Sequence, residues 1–184
     1  MSKLNKKIRR FDPWGLYYDG VGNINKKEFD KAISIFNKLI SKIDPGGIVH
    51  RYKIYPPNCP GQCCALINRL SEFQKFWLIK AYGNRGVCFG YKKQYQEAIN
   101  DFDDVLKIDN RNIKSLHNKA HIRLINKDFD TAIEDLTKII TIDPEHSKSY
   151  LKRGMAYREI GENEKGYKDL NYHGYLIKEK NVKY

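Results

Sequence analysis

From residue 79 onward, apolar positions recur at three- and four-residue steps. Tyr82, Gly86 and Phe89 make one stripe, and Ala98, Phe102, Val105 and Leu106 make another. That spacing predicts two amphipathic helices in succession. Sliding the chain over itself by 34 residues brings the pattern back into register. Gly86, Ala120 and Gly154 then align, as do Ala98, Ala132 and Gly166, and Phe102, Leu136 and Leu170. The charged positions Lys80, Lys114 and Lys148, then Arg85, Lys119 and Arg153, then Asp101, Asp135 and Asp169, fall into the same register. A period of that length marks a repeat whose unit is a helix pair.

Punctuation supports the pairing. Lys92-Lys93-Gln94, Asn126-Lys127-Asp128 and Gly161-Glu162-Asn163 separate the helices of successive pairs, and Asp143-Pro144 ends one repeat. The small residues at 86, 120 and 154 and at 98, 132 and 166 sit where paired helices cross, so the backbones can approach closely. One pair cannot bury its own stripes, so the pairs are expected to stack around a shared core. A fragment from Lys27 to Pro45, with Ala32, Ile33, Phe36 and Leu39, reads as the second helix of a further, degenerate repeat. Pro13, Gly15, Gly20 and Gly22 leave its partner only a short predicted helix around Trp14 to Tyr18. Residues 46–78 fall outside the period: Gly46-Gly47 and Pro56 to Gly61 mark loops, Tyr52 to Tyr55 reads as extended, and Ala65 to Leu78 is expected to form one amphipathic helix.

The pattern resembles the tetratricopeptide repeat (TPR) family, whose 34-residue unit carries an aromatic, Leu-Gly, Tyr, Ala, Phe and Pro at fixed offsets. Residues 79–112 supply Tyr82, Gly86, Phe89, Tyr95, Ala98, Phe102 and Leu106. Residues 113–146 supply Leu116, Ala120, Phe129, Ala132, Leu136, Ile139 and Pro144, with Arg123 where Tyr is usual. Residues 147–180 supply Tyr150, Gly154, Tyr157, Gly161 and Leu170. The resemblance implies an all-α fold, a short TPR-like α-solenoid of stacked antiparallel helix pairs. Residues 1–45 would then be a basic arm and degenerate repeat, 46–78 a cysteine-containing insert and helix, and 79–180 three full repeats.

Composition narrows the function classes. The 184 residues include 34 Lys and Arg against 22 Asp and Glu, a formal charge of +12, which favours an anionic partner. Residues 1–78 hold +8 of that excess, much of it in Lys3, Lys6, Lys7, Arg9 and Arg10. Apolar runs reach only four or five residues, so no membrane partner is expected. The first fourteen residues lack the apolar core of a secretory signal, and a cytoplasmic location is expected.

Candidate chemistry is sparse. Cys59, Cys63 and Cys64, with His50 nearby, form one cluster without a second ligand pair, so free thiols are expected there rather than a metal site. Cys88 reads as core. His117 and His121 lie one turn apart, but Asn118 stands where a zinc protease needs its Glu, so they read as a neutral pair lining a groove. Tyr17 to Phe29 mimics part of a calcium loop, with Tyr17 and Val21 at positions that need oxygen ligands. Phosphate-loop, nucleophile-elbow and dinucleotide motifs are absent. No enzyme and no cofactor are expected.

The positions left after the core stripes are assigned define a working surface. Lys80, Asn84, Val87 and Tyr91 share one helix face; Lys114, Asn118, His121 and Ile125, and Lys148, Lys152, Met155 and Glu159, repeat it, with His117 alongside. Amide and ammonium donors at matching heights suit an extended, acidic peptide. TPR domains that hold chaperone C-terminal carboxylates use a Lys, Asn and basic clamp. By that resemblance Asn118, Lys148 and Lys152 match its later part, while Gly83 and Val87 stand at the earlier Lys and Asn. The sequence therefore reads as a non-enzymatic adaptor for an acidic segment of another protein, with a nucleic-acid-binding array as the alternative. The tyrosine-rich last helix, Tyr167, Tyr172 and Tyr175 with Leu176 and Ile177, offers a surface for a homodimer.

Overall fold

A computed structural model describes residues 11–47, 49 and 69–182. The basic arm, Tyr52 to Tyr55, Cys59, Cys63, Cys64 and His50 lie outside the described residues. Chain contacts divide the protein into two compact units, Met1–Asn110 and Arg111–Tyr184. Unit 1 holds α1 (Pro13–Asn25), α2 (Phe29–Ile43), α3 (Glu72–Tyr91) and α4 (Tyr95–Ile108). Unit 2 holds α5 (Ile113–Ile125), α6 (Phe129–Ile142), α7 (Ser147–Glu159) and α8 (Asn163–Val182). Every described element is a helix, and each packs on the next within its unit, as α1 on α2, α2 on α3, and α3 on α4 do in the first.

Two expected boundaries move. The first helix of the degenerate repeat runs from Pro13 to Asn25, well past Tyr18. Pro13 occupies its first turn, and the Asp12 carboxylate accepts from the Trp14 N–H at 2.9 Å. Its glycines do not break it, because Gly20 meets α2 across the crossing: a Cβ there would lie 2.7 Å from the Phe36 ring. Tertiary contact outweighs the cost of about 1 kcal/mol that a glycine carries inside a helix. The second correction concerns Ala65 to Leu78. Arg69 and Leu70 form a turn, and Ser71 caps α3 by a reciprocal box in which its hydroxyl accepts from the Gln74 N–H while Gln74 Oε1 accepts from the Ser71 N–H. Residues 72–78 therefore extend the first helix of the next pair. Gln74 Nε2 also donates to the Ile43 carbonyl at 2.9 Å, fastening the start of α3 to the end of α2.

All four pairs close with the same turn. Lys27, Lys93, Lys127 and Gly161 take positive φ, at 61°, 60°, 61° and 84°. The next residue in each case donates its N–H back to a carbonyl in the last turn of the first helix, Glu28 to Asn23, Gln94 to Phe89, Asp128 to Arg123 and Glu162 to Tyr157. This left-handed closure satisfies carbonyls that the helix end would leave open. It also places the degenerate repeat on the same frame as the others.

The expected crossings are close. A Cβ on Gly86 would lie 2.9 Å from Phe102, and one on Gly154 would lie 3.0 Å from the Gly166 carbonyl oxygen. Ala98, Ala120 and Ala132 are fully buried beside them. The core of unit 1 is Phe36, Leu39, Ile43, Val49, Trp77, Leu78, Tyr82, Cys88 and Val105; that of unit 2 is built on Leu116, Leu136, Ile139, Ala156 and Leu176. Burial pushes the Cys88 thiol up to about 11, in keeping with a packing role.

The basic residues aligned at 85, 119 and 153 form ion pairs with the aspartates aligned at 101, 135 and 169, joining the two helices of each of the last three pairs. Arg85 grips Asp101 with two bonds of 2.8 and 2.6 Å, and Arg153 grips Asp169 with two of 2.7 and 2.9 Å. In each, the guanidinium lies between two rings of its own helix, Tyr82 and Phe89 or Tyr150 and Tyr157. The middle pair differs. Lys119 stands in the arginine position, 3.5 Å from Asp135, and Arg123 one turn later supplies the guanidinium at 2.6 Å. That explains the arginine where an aromatic is usual: at 123 the ring has been exchanged for the cation that Lys119 cannot supply as a fork.

Candidate peptide-binding surface

The positions expected to line a working surface fall on the first helices of their pairs, in both units. In unit 1, Lys80 is exposed and its ammonium lies 5.6 Å from the centre of the Phe76 ring. Asn84 is half-buried and tied down, donating to the Lys80 carbonyl at 3.1 Å and to the Tyr17 hydroxyl at 3.3 Å. Tyr91 stacks on Phe29 at 4.9 Å with 9° between planes, and Lys92 pairs with Asp30 beside it, so Tyr91 helps fasten α3 to α2.

Around Lys80 lies an aromatic group that the pattern reading did not single out as a surface. Trp14 stacks on Tyr18 at 5.7 Å and meets Trp77 edge-on at 4.7 Å, and Phe76 meets Trp77 at 5.2 Å. Trp77 is buried, whereas Trp14 is 49% and Tyr18 61% exposed. The signal was the Trp14 and Tyr18 spacing of four. What the spacing could not show is that Phe76 and Trp77, far later in the chain, pack against Trp14.

In unit 2, α5 and α7 bring the remaining positions together. Lys114 and Lys148 are exposed; His117, Asn118 and Lys152 are half-buried; His121 is exposed along the same helix as His117, and Met155 is 56% exposed. Burial, then the charge of Lys148, holds the Lys152 ammonium below its ordinary pKa. Burial, then Lys152, His146, His121 and Lys148, pushes His117 down to about 4. Though His121 is exposed overall, partial desolvation of its ring, then the charge of Lys152, lowers it. Both shifts favour the neutral imidazole at pH 7. Neither Lys148 nor Lys152 forms an ion pair among the described residues.

No group of three or more His, Cys, Asp or Glu side chains able to hold a metal occurs among the described residues. Residues 17–25 of the calcium-like stretch are helical, and the Asp19 carbonyl accepts from Asn23 Nδ2 at 2.7 Å within that helix. No described helix is long and apolar enough to cross a membrane.

The frame of crossings, turns and paired helices can be set against known proteins. The tetratricopeptide repeat family profile matches residues 79–112 and again residues 113–146. These are tetratricopeptide repeats. Among curated relatives, the heat shock protein sti1 homolog of Schizosaccharomyces pombe is 30% identical over 84 residues, which is 46% of this chain and 14% of the relative. The chain thus spans about a seventh of that protein's length. Among solved structures, the C-terminal TPR-containing domain of a Plasmodium falciparum FK506-binding protein superposes with a TM-score of 0.61 at 20% identity, covering 89% of this chain and 97% of that one. The second TPR of Spaghetti (RPAP3), bound to the HSP90 peptide SRMEEVD, superposes with a TM-score of 0.51 at 24% identity, covering 54% of this chain and 92% of its own. The fold is of the TPR type, and the α1–α2 and α7–α8 pairs keep the TPR turn and crossing.

Proposed function

We propose that this TPR chain is a non-enzymatic, cytoplasmic protein-interaction module that takes an extended acidic segment of a partner protein on the α5–α7 face of unit 2. The observation that carries the reading is the closeness of Lys148 and Lys152 on α7 to His117 on α5, with Lys152 half-buried and neither ammonium neutralised by a carboxylate among the described residues. Holding two cations close together costs free energy in the empty protein, and a ligand carboxylate recovers it. Asn118 adds amide hydrogen-bonding groups for the ligand backbone, and Met155 an apolar contact. The acidic peptide seen on the Spaghetti TPR is a ligand of that chemistry.

The test is fluorescence anisotropy with labelled SRMEEVD and its glutamine counterpart SRMQQVD. The glutamines should weaken binding to the wild-type chain, and Lys148→Ala/Lys152→Ala should weaken SRMEEVD by roughly tenfold or more, since a charged hydrogen bond contributes about 1.5–3 kcal/mol. Equal affinity for both peptides, or an unaffected double variant, would remove the acidic reading. The exposed Trp14, Tyr18 and Phe76 beside Lys80 favour a second reading, single-stranded nucleic acid stacking on unit 1, for which a labelled oligouridine is the matching probe. A homodimer through α8 rests on its exposed Tyr167, Tyr172, Tyr175 and Ile177.

A further inference from the structure

Unit 2 gathers three imidazoles at the proposed site. His117 and His121 lie one turn apart on α5, and His146 precedes α7 with its ring centre 6.0 Å from that of His117. Of these, His146 has a partner, since its Nδ1 and the Ser149 hydroxyl are 2.8 Å apart. His117 does not: its Nε2 is buried and meets no hydrogen-bonding group. A buried polar atom left unpaired costs about 1–3 kcal/mol, so its persistence calls for an explanation such as a ligand. The charged and titratable groups that face it are His121 from its own helix, His146 from the connection, and Lys148 and Lys152 from α7.

We infer that an anionic ligand bound among Lys148, Lys152 and His117 brings a proton with it, taken up by His117, so that the site tightens as the solution is acidified. The inference rests on the acidic-ligand reading and adds its regulation. In the empty protein, burial and the surrounding cations keep His117 neutral down to about pH 4. A carboxylate placed there offsets the lysines and gives the imidazolium an acceptor, so the bound state favours the proton that the free state rejects. Whichever state binds more protons gains as pH falls, and here that is the complex. If the liganded imidazole regains its ordinary value near 6.5, affinity rises roughly tenfold between pH 7.5 and pH 5.5. The proton comes from the buffer and stays on the His117 ring, where the nearby carboxylate stabilises its charge. Free carboxylates of the ligand remain largely ionised over this range.

Titration calorimetry of the 184-residue chain with SRMEEVD at pH 7.5, 6.5 and 5.5, in buffers of different ionisation enthalpy, reads both affinity and protons absorbed. The wild type should tighten about tenfold and absorb a growing fraction of a proton. His117→Gln, compared with itself across pH whatever its affinity at pH 7.5, should lose most of that pH dependence. As a readout that needs no variant, the His117 ring proton resonance should titrate at markedly higher pH with peptide than without. Binding that is constant across pH, with no proton absorbed, overturns the inference and leaves the acidic-ligand reading standing. A pH dependence kept in full by His117→Gln assigns the proton elsewhere and overturns it too. No binding at any pH sinks the acidic-ligand reading, and the inference with it.

Discussion

The two units use one helix-pair frame and present opposite chemistry on it. In unit 1 the surface around Lys80 is aromatic, with Trp14, Tyr18 and Phe76 partly exposed around buried Trp77. In unit 2 the matching helices carry imidazoles and ammoniums, and every histidine among the described residues lies in this unit. The frame itself barely changes: the same left-handed turn, small-residue crossing and cross-helix ion pair recur. The comparison teaches that the residues of the frame and those that set the exposed chemistry occupy different positions of the repeat. Frame positions are set by steric closeness at crossings and by hydrogen-bond closure at turns, while the outward face of each first helix is free to vary.

The ion pairs offer the strongest way to break the comparison. Asp135 in unit 2 is fully buried and faces both Arg123 and Lys119, so Asp135→Asn leaves two cations poorly compensated and should cost about 3–5 kcal/mol. Asp101→Asn in unit 1 leaves Arg85 still flanked by Tyr82 and Phe89 and donating to the Asn37 side chain, and should cost less. Urea unfolding of both variants measures the difference. Equal costs would show that the ring sandwich around Arg85 contributes nothing.

Acid separates the units more gently. His117 in the folded chain titrates near 4, below its ordinary value of 6.5, so on acidification the unfolded chain takes its proton first. The stability held by the neutral imidazole is complete above about pH 6.5 and is lost as pH falls toward 4. Hydrogen exchange at pH 7.5 and 5.0 should show the amides of α5 and α7 losing protection more than those of α2 and α3, and His117→Gln should narrow that gap. Uniform loss across both units would count against His117 as the sensitive group.

The smallest effect concerns the turns. Unit 2 spends a glycine on its second turn, Gly161, whereas Lys27, Lys93 and Lys127 hold positive φ without one. Lys93→Gly should relieve local strain and offset it with added freedom in the unfolded chain, giving a change within about 1 kcal/mol. Gly161→Lys should be destabilising by a similar amount in thermal melts. A large gain at Lys93 would mean that the turn stores more strain than its hydrogen bond repays.

Short-range order was written in the chain. The 34-residue period, the helix pairs, the turn positions at 93, 127 and 161 and the small residues at the crossings can all be read from neighbours three, four or 34 residues apart, because helical hydrogen bonding and amphipathic burial act over those distances. The degenerate repeat was legible only in part, since Gly20 reads as a breaker until Phe36 is placed against it. The candidate site followed the same division. Which helix faces carry Lys, Asn and His was visible in the repeat, and so was Arg123 in an aromatic position, whereas the unpaired nitrogen of His117, the burial of Lys152 and the pairing of Arg123 with Asp135 were not. Those features depend on burial and on charges brought close from different helices. Only packing sets such distances, so tertiary structure decided where the chain holds buried and uncompensated polar groups.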